Sequence, residues 1–213
     1  MANLEQIGNS VIMGDKDEVK KLVKDSVQVD GKPTEIINKG LIRGMDIVGQ
    51  RFKKGDMYVP EVLLAARAMK EGMDIVKPLI VEDEMESPGK VMLGTVEGDL
   101  HDIGKNLVGM LLESAGLEIV NLGIDISAED FAEKVKEYKP DVLGLSALLT
   151  TTMLEIKNTI EVLEEQGLLS NTKIIVGGAP VTQNFADEVG ADGWAPDAAS
   201  AKDLVLDLIR KQN

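Results

Sequence analysis

A single histidine occurs in the 213 residues, and it sits in a segment of unusual density: Gly98-Asp99-Leu100-His101-Asp102-Ile103-Gly104-Lys105-Asn106. An imidazole near a carboxylate can give the proton of one ring nitrogen to it, which fixes the tautomer and leaves the other nitrogen for a metal. Two residues of separation in an extended loop permit that contact between Asp99 and His101. The plainer alternative is a polar strand-to-helix loop in which an Asp caps the helix and His101 is merely exposed. Taken alone, the segment favours the plainer one. Cysteine is absent, which excludes disulfides, thiolate metal sites and cysteine nucleophiles. One histidine is also too few for structural zinc, which needs a full tetrahedral set of protein ligands. Any metal bound here must arrive already coordinated.

The elements that must hold this segment are of two kinds. In the first eighty or so residues apolar side chains recur at helical spacing: Leu4, Ile7, Val11; Val19, Leu22, Val23; Ile37, Leu41, Gly44, Val48; and Val62, Ala66, Met69, Met73, Val76, Ile80. That pattern predicts a four-helix bundle, with breaks at Gly14-Asp15, at Gly31-Lys32-Pro33-Thr34, and at Gly55-Asp56 with Pro60 opening the fourth helix. Residues Glu82 to Gly89 are acidic and polar and end in Pro88-Gly89, which suits a solvated linker. The expected domains are therefore 1–88, helical with its linker, and 89–213.

Past the linker the period changes. Lys90 to Val96, Leu117 to Leu122, Asp141 to Ser146, Thr172 to Val176 and a weaker Asp192 to Ala195 are short apolar runs, each followed by a polar loop and a helical stretch. Such alternation predicts an α/β unit, a Rossmann-like, flavodoxin-like doubly wound parallel sheet of five strands. Ligands of these sheets sit beyond the carboxyl ends of the strands, where residues 98–106 fall. The third run ends in Ser146-Ala147-Leu148-Leu149-Thr150-Thr151-Thr152 and the fourth in Val176-Gly177-Gly178. Positions without side chains at adjacent strand ends open a slot for a flat group, although Gly177-Gly178 alone reads as a turn and the threonines as helix capping. A corrin-held cobalt answers the metal question, because the macrocycle supplies the equatorial nitrogens and leaves one axial position to the protein.

At these residues a resemblance becomes specific. Asp99-Leu100-His101-Asp102-Ile103-Gly104 matches the D-x-H-x-x-G signature of cobalamin-binding domains, Ser146-Ala147-Leu148 their S-x-L segment, and Gly177-Gly178 their glycine pair, in the same order. Nearly the whole chain, including residues 55–62, resembles the small corrinoid proteins of methylamine, methanol and related methyltransferase systems, and the cap and cobalamin region of methionine synthase. The resemblance implies cobalamin bound with its benzimidazole displaced and His101 as lower axial ligand and metal ligand. It implies a relay of Asp99, His101 and Thr152, with Thr152 where methionine synthase has a serine. Ser146 would meet the benzimidazole, and Gly98, Asp102, Ile103, Gly104, Leu148, Thr150, Gly177 and Gly178 would complete the cofactor site. The bundle would cover the upper corrin face. Tyr58, Leu63 and Met69 are the expected covering residues, with plain bundle core as the alternative for all three, and Glu82 to Gly89 is the expected hinge.

The function so implied is methyl carriage between a substrate-specific methyltransferase and a second methyltransferase with a folate or thiol acceptor, with a reductive activase as a further partner. The donor is left open among tri-, di- and quaternary amines, methanol and methoxylated aromatics, an amine being preferred. A net charge of −14 repels nucleic acid and anionic lipid surfaces, and the start MANLEQIGNS has no signal-peptide pattern, so a cytoplasmic protein is expected. Three alternatives compete. A carbon-skeleton mutase subunit shares the three motifs but has no evident use for the bundle. A cobalamin-dependent regulator needs a basic DNA-binding module that charge and length do not accommodate. A cofactor-free receiver accounts for none of the motifs together.

Overall fold

Four helical segments carry the apolar stripes of the amino-terminal unit, and the breaks between them are made by the residues that can make them. Residues 3–29, 32–79 and 87–212 are described in the computed structural model. The chain divides into two compact units, Met1–Glu86 and Ser87–Asn213. The expected linker lies largely outside the described residues, as do Ile80 and Gly31. Helix α1 is Leu4–Ile12 and α2 is Lys16–Gln28, the latter opened by Asp15, whose Oδ1 accepts from the Glu18 amide at 3.0 Å. A third continuous helix, α3, covers residues 33–53. Helix α4, Val59–Val76, has Pro60 in its first turn and Glu61 Oε2 accepting from the Tyr58 amide at 2.8 Å.

The stripes meet in a wholly apolar core of Ile7, Val11, Val19, Val23, Ile37, Leu41, Val48, Val62 and Val76. Helices α1 and α3 approach closely enough that a Cβ on Gly44 would stand 2.8 Å from the Gly8 carbonyl oxygen. One departure from a uniform α-helix is the π-helical stretch Ile36–Ile42 inside α3. The wider turn lets Ile36, Ile37, Gly40 and Leu41 all face inward. Met69 is 2% exposed, in register with Val62 and Val76, so it is a core residue and not part of a covering surface. Tyr58 is exposed and Leu63 half-buried.

The second unit is a five-stranded, wholly parallel sheet in the order β2-β1-β3-β4-β5. The elements are β1 Lys90–Val96, α5 Ile103–Ser114, β2 Glu118–Ile126, α6 Ala128–Tyr138, β3 Val142–Ser146, α7 Met153–Glu165, β4 Lys173–Gly177, α8 Gln183–Glu188, β5 Gly193–Trp194 and α9 Ala198–Gln212. Strand β1 is buried on both faces because helices cover both. Met92 and Val96 pack with Phe131, Leu143, Ile156 and Ala186 on the α6, α7 and α8 side, while Val91 and Leu93 pack with Leu112, Val205 and Ile209 on the α5 and α9 side. The two directions of winding diverge between β1 and β3, which makes the carboxyl ends of these neighbours the switch point where flavodoxin-type sheets take their ligands.

Strand β2 runs past the expected Leu122 to Ile126. Its register against β1 slips twice, Leu93 to Asn121 but Gly94 to Gly123, then Val96 to Ile126. Two extra residues therefore bulge from β2, and Gly123 and Asp125 take positive φ values of 95° and 56°.

Candidate functional site

Strand β1 delivers the chain to the switch point, and the loop after it is folded around a single carboxylate. Asp99 is fully buried, with five donors converging on it. Its Oδ1 accepts from the His101 amide at 3.0 Å and is 2.8 Å from His101 Nδ1. Its Oδ2 accepts from the amides of Leu148 at 2.7 Å and Leu149 at 3.3 Å and from the Thr152 hydroxyl at 2.7 Å. The loops after β1 and β3 are thus tied together by one side chain. Burial alone would raise the Asp99 carboxyl, but the Thr152 hydroxyl, the Leu148 and His101 amides and the imidazole outweigh it, holding the group well below the usual carboxylate range.

An ionised Asp99 beside Nδ1 selects the tautomer with the proton on Nδ1, so that the imidazole donates to the carboxylate. Nε2 then keeps its lone pair, on a side chain that is 50% exposed. Thr152 has one hydroxyl proton and two acceptors, Asp99 Oδ2 at 2.7 Å and the Leu149 carbonyl at 3.0 Å; the charged and shorter one is preferred. The plainer reading of both segments is thereby set aside. Asp99 does not cap α5, and Thr152, at the N-cap position of α7, makes no side-chain capping bond. Among the described residues no group of three or more His, Asp or Glu side chains could hold a metal ion.

Around this centre the other expected residues fall unevenly. Leu100 and Leu148 on the same two loops and Ile103 at the start of α5 are exposed apolar side chains, at 67%, 40% and 72%, and Leu149 joins them. An added Cβ on Gly104 would meet nothing within 4 Å. Gly98 is the left-handed residue at the turn out of β1, with φ of 75°. Asp102 accepts from Asn106 Nδ2 at 2.8 Å. Thr150 is exposed, and its described neighbours Leu148, Leu149 and Thr152 supply the bonds to Asp99.

Ser146 and Gly177 are paired in register, and the Ala147 amide still bonds the Gly177 carbonyl at 3.1 Å. Strands β3 and β4 therefore do not part to form a slot. The relief lies on a face of the sheet. Side chains alternate along each strand, so Thr95, Ser146 and Gly177, which are register partners, form a small-residue row on the α5 and α9 side. Gly178, with φ of 126°, is pressed against the Ala147 carbonyl, where a Cβ cannot fit.

Several residues of this region escaped the sequence reading. Thr95 is buried and its hydroxyl donates to the His101 carbonyl at 3.0 Å. Lys105, also buried, donates to Asn106 Oδ1 at 2.8 Å and Asn121 Oδ1 at 2.7 Å, and desolvation lowers its ammonium despite the opposing charge of Asp102. Asp125 accepts from the Gly98 amide through Oδ1 at 2.7 Å. A glycine inside a strand run, Gly123, was the available signal for the bulge that brings Asp125 there.

Comparison with known proteins meets this geometry directly. Two models described as "B12 binding domain" match the chain, one over residues 89–202 and the other over residues 4–77. The chain belongs to the cobalamin-binding corrinoid proteins. A corrinoid protein of Desulfitobacterium hafniense is 44% identical over 99% of both chains, and dimethylamine corrinoid protein 1 of Methanosarcina acetivorans is 44% identical over 97% of both. Among solved structures, the methanol:cobalamin methyltransferase complex of Methanosarcina barkeri contains a chain that is 31% identical with a TM-score of 0.84, covering 96% of this chain and 78% of that one. Cobalamin is accordingly the cofactor of this corrinoid protein. Its residues suit the group: a half-exposed imidazole stands among exposed apolar side chains, beside a side-chain-free position at Gly104 and the small-residue row. No helix among the described residues is long and apolar enough to cross a membrane.

Proposed function

We propose that the chain is a methyl carrier that takes a methyl group from a substrate-specific methyltransferase and gives it up to a second one with a folate or thiol acceptor. The observation that carries this reading is the Thr152–Asp99–His101 chain at the switch point of a cobalamin-binding sheet. Cobalamin bound there supplies a cobalt that can accept and release a methyl group. His101 would be its lower axial ligand through Nε2, with the benzimidazole displaced onto the row of Thr95, Ser146 and Gly177. Asp99 would fix the ring and, with Thr152, hold the proton on Nδ1. Gly98, Asp102, Ile103, Gly104, Leu148, Thr150 and Gly178 would shape the rest of the site.

The helical domain, residues 1–88, would cover the upper face, and the segment Glu82 to Gly89 would let it move aside. A methylated amine is the donor class that the dimethylamine corrinoid relative supports, and a reductive activase is a further partner on this reading. The absence of cysteine fits a place in a reducing cytoplasm. The test is electron paramagnetic resonance of the Co(II) protein together with methyl-transfer assays using each partner added in turn. Imidazole nitrogen hyperfine lost in His101→Ala, and no turnover by the chain alone, are the expected results. An unchanged spectrum in the variant, or steady turnover without partners, would overthrow the reading.

A further inference from the structure

We propose that Asp125 is a positioning residue for His101, acting through the backbone of Gly98 and Asp99; this rests on the reading of His101 as the cobalt ligand. The contact originates in strand β2. Leu122 and one residue of the Ile124–Asp125 pair have no partner on β1, and the second bulge brings Asp125 up to the loop that leaves β1. There it is bonded in both directions. Its Oδ1 accepts from the Gly98 amide at 2.7 Å, and its own amide donates to the Asp99 carbonyl at 3.1 Å. Two left-handed residues, Gly98 at φ 75° and Asp125 at φ 56°, thus face each other across the two bonds. A non-glycine residue at positive φ is uncommon and costs free energy, so the surroundings must hold it there, and such positions concentrate at functional sites.

The consequence passes to the histidine through short covalent distances. Asp99 can collect its donors only if the backbone at Gly98 and Asp99 is set, because its side chain must turn inward to full burial while Leu100 and His101 turn outward. Thr95 fixes the other end of the same loop at the His101 carbonyl. Asp125 reaches the loop from the edge strand β2, and it does so from an exposed position where it is not required for a core. A residue that only satisfied the Gly98 amide would be replaceable by water at no loss to the imidazole.

The discriminating variants are Asp125→Gly, which keeps the left-handed backbone and removes the acceptor, and Asp125→Asn, which keeps both. Each is compared with the parent as full-length protein, loaded with cobalamin for Co(II) paramagnetic resonance and without it for amide hydrogen exchange across residues 98–101. The expected result is about a fivefold faster exchange in Asp125→Gly, the factor that loss of one net hydrogen bond gives, with a reduced share of imidazole hyperfine at unchanged helical content and retained corrinoid. Asp125→Asn should restore both readouts. Asp125→Gly matching the parent in spectrum and exchange would overturn the proposal, and so would Asp125→Asn behaving like Asp125→Gly. A parent that itself lacks imidazole hyperfine, with His101→Ala giving the same spectrum, would instead sink the ligand reading beneath it.

Discussion

The two ends of the parallel sheet use the same residue type for different work. At the amino ends, Asp141 Oδ2 accepts from the Lys90 amide at 2.7 Å and Asp192 Oδ2 from the Ile174 amide at 2.8 Å, each carboxylate closing one strand onto its neighbour. Asp141 is only partly buried and Asp192 is exposed, and each engages a single backbone amide from the adjoining strand, Asp192 with the Lys173 ammonium besides. At the carboxyl end, Asp99 is removed from water altogether and organises two loops and an imidazole. The glycines divide likewise. Gly167 and Gly190, before β4 and β5, have positive φ with open space where a Cβ would go, whereas Gly178, after β4, has the Ala147 carbonyl there. Residue type therefore does not mark the site. What marks it is the number of donors brought to one buried carboxylate.

That contrast can be broken by substitution, beginning with its largest element. Asp99→Ala strands the Leu148 and His101 amides, while the Thr152 hydroxyl can turn to the Leu149 carbonyl, and should cost about 3 kcal/mol, against about 1 kcal/mol for Asp141→Ala, which frees a single amide. Urea unfolding of the two variants measures both, and equal losses would erase the distinction. Gly178→Ala should cost about 2 kcal/mol, because the Ala147 carbonyl must shift, while Gly190→Ala should cost about 1 kcal/mol from φ alone. Thermal unfolding of the pair decides the order.

Smaller effects test the cofactor end. Gly177→Leu puts a side chain on the row with Thr95 and Ser146 and should weaken cobalamin binding by roughly tenfold to a hundredfold. Titration of cofactor-free protein reads this, and parent-like affinity would move the tail elsewhere. The smallest change concerns acid. Because the folded Asp99 carboxyl lies below its ordinary value, its contribution is fully present above about pH 4 and is lost as pH falls through the depressed value. Thr152→Val removes a lowering contact and raises the folded value toward the ordinary one. Acid unfolding of the variant should therefore begin at higher pH than in the parent, and coincident acid curves would exclude the hydroxyl from that role.

How much of this could be read from the chain depends on whether a period or a partner defines the residue. The stripe Val62, Ala66, Met69, Met73 and Val76 reads as a helix because burial alone sets its spacing, and of the two roles open to Met69 its burial selects the core. Strand β1 was legible because both of its faces are buried. In strand β2 the apolar run ends at Leu122, short of the strand's end at Ile126, because two bulged residues interrupt its alternation. At the site, Asp99 and His101 were found by chemistry and nearness in sequence. Lys105 and Asp125 were not, since each acts through a contact made across to another element, and Thr95 was not, since its hydroxyl bonds a backbone carbonyl six residues on, which the residue type at His101 does not mark. The slot expected between β3 and β4 failed for a related reason: glycine in a sequence shows that room exists, not on which face.

The bulged end of β2 also bears on how this molecule avoids its own kind. A parallel sheet with an open margin is a template for another chain's strand, and this one has two margins. On one side β5 is only two residues long. On the other, the left-handed turns at Gly123 and Asp125 throw the backbone amides and carbonyls out of the regular ladder that an incoming strand would need. The irregularity that anchors the histidine loop therefore makes the same margin a poor seed for intermolecular β-pairing.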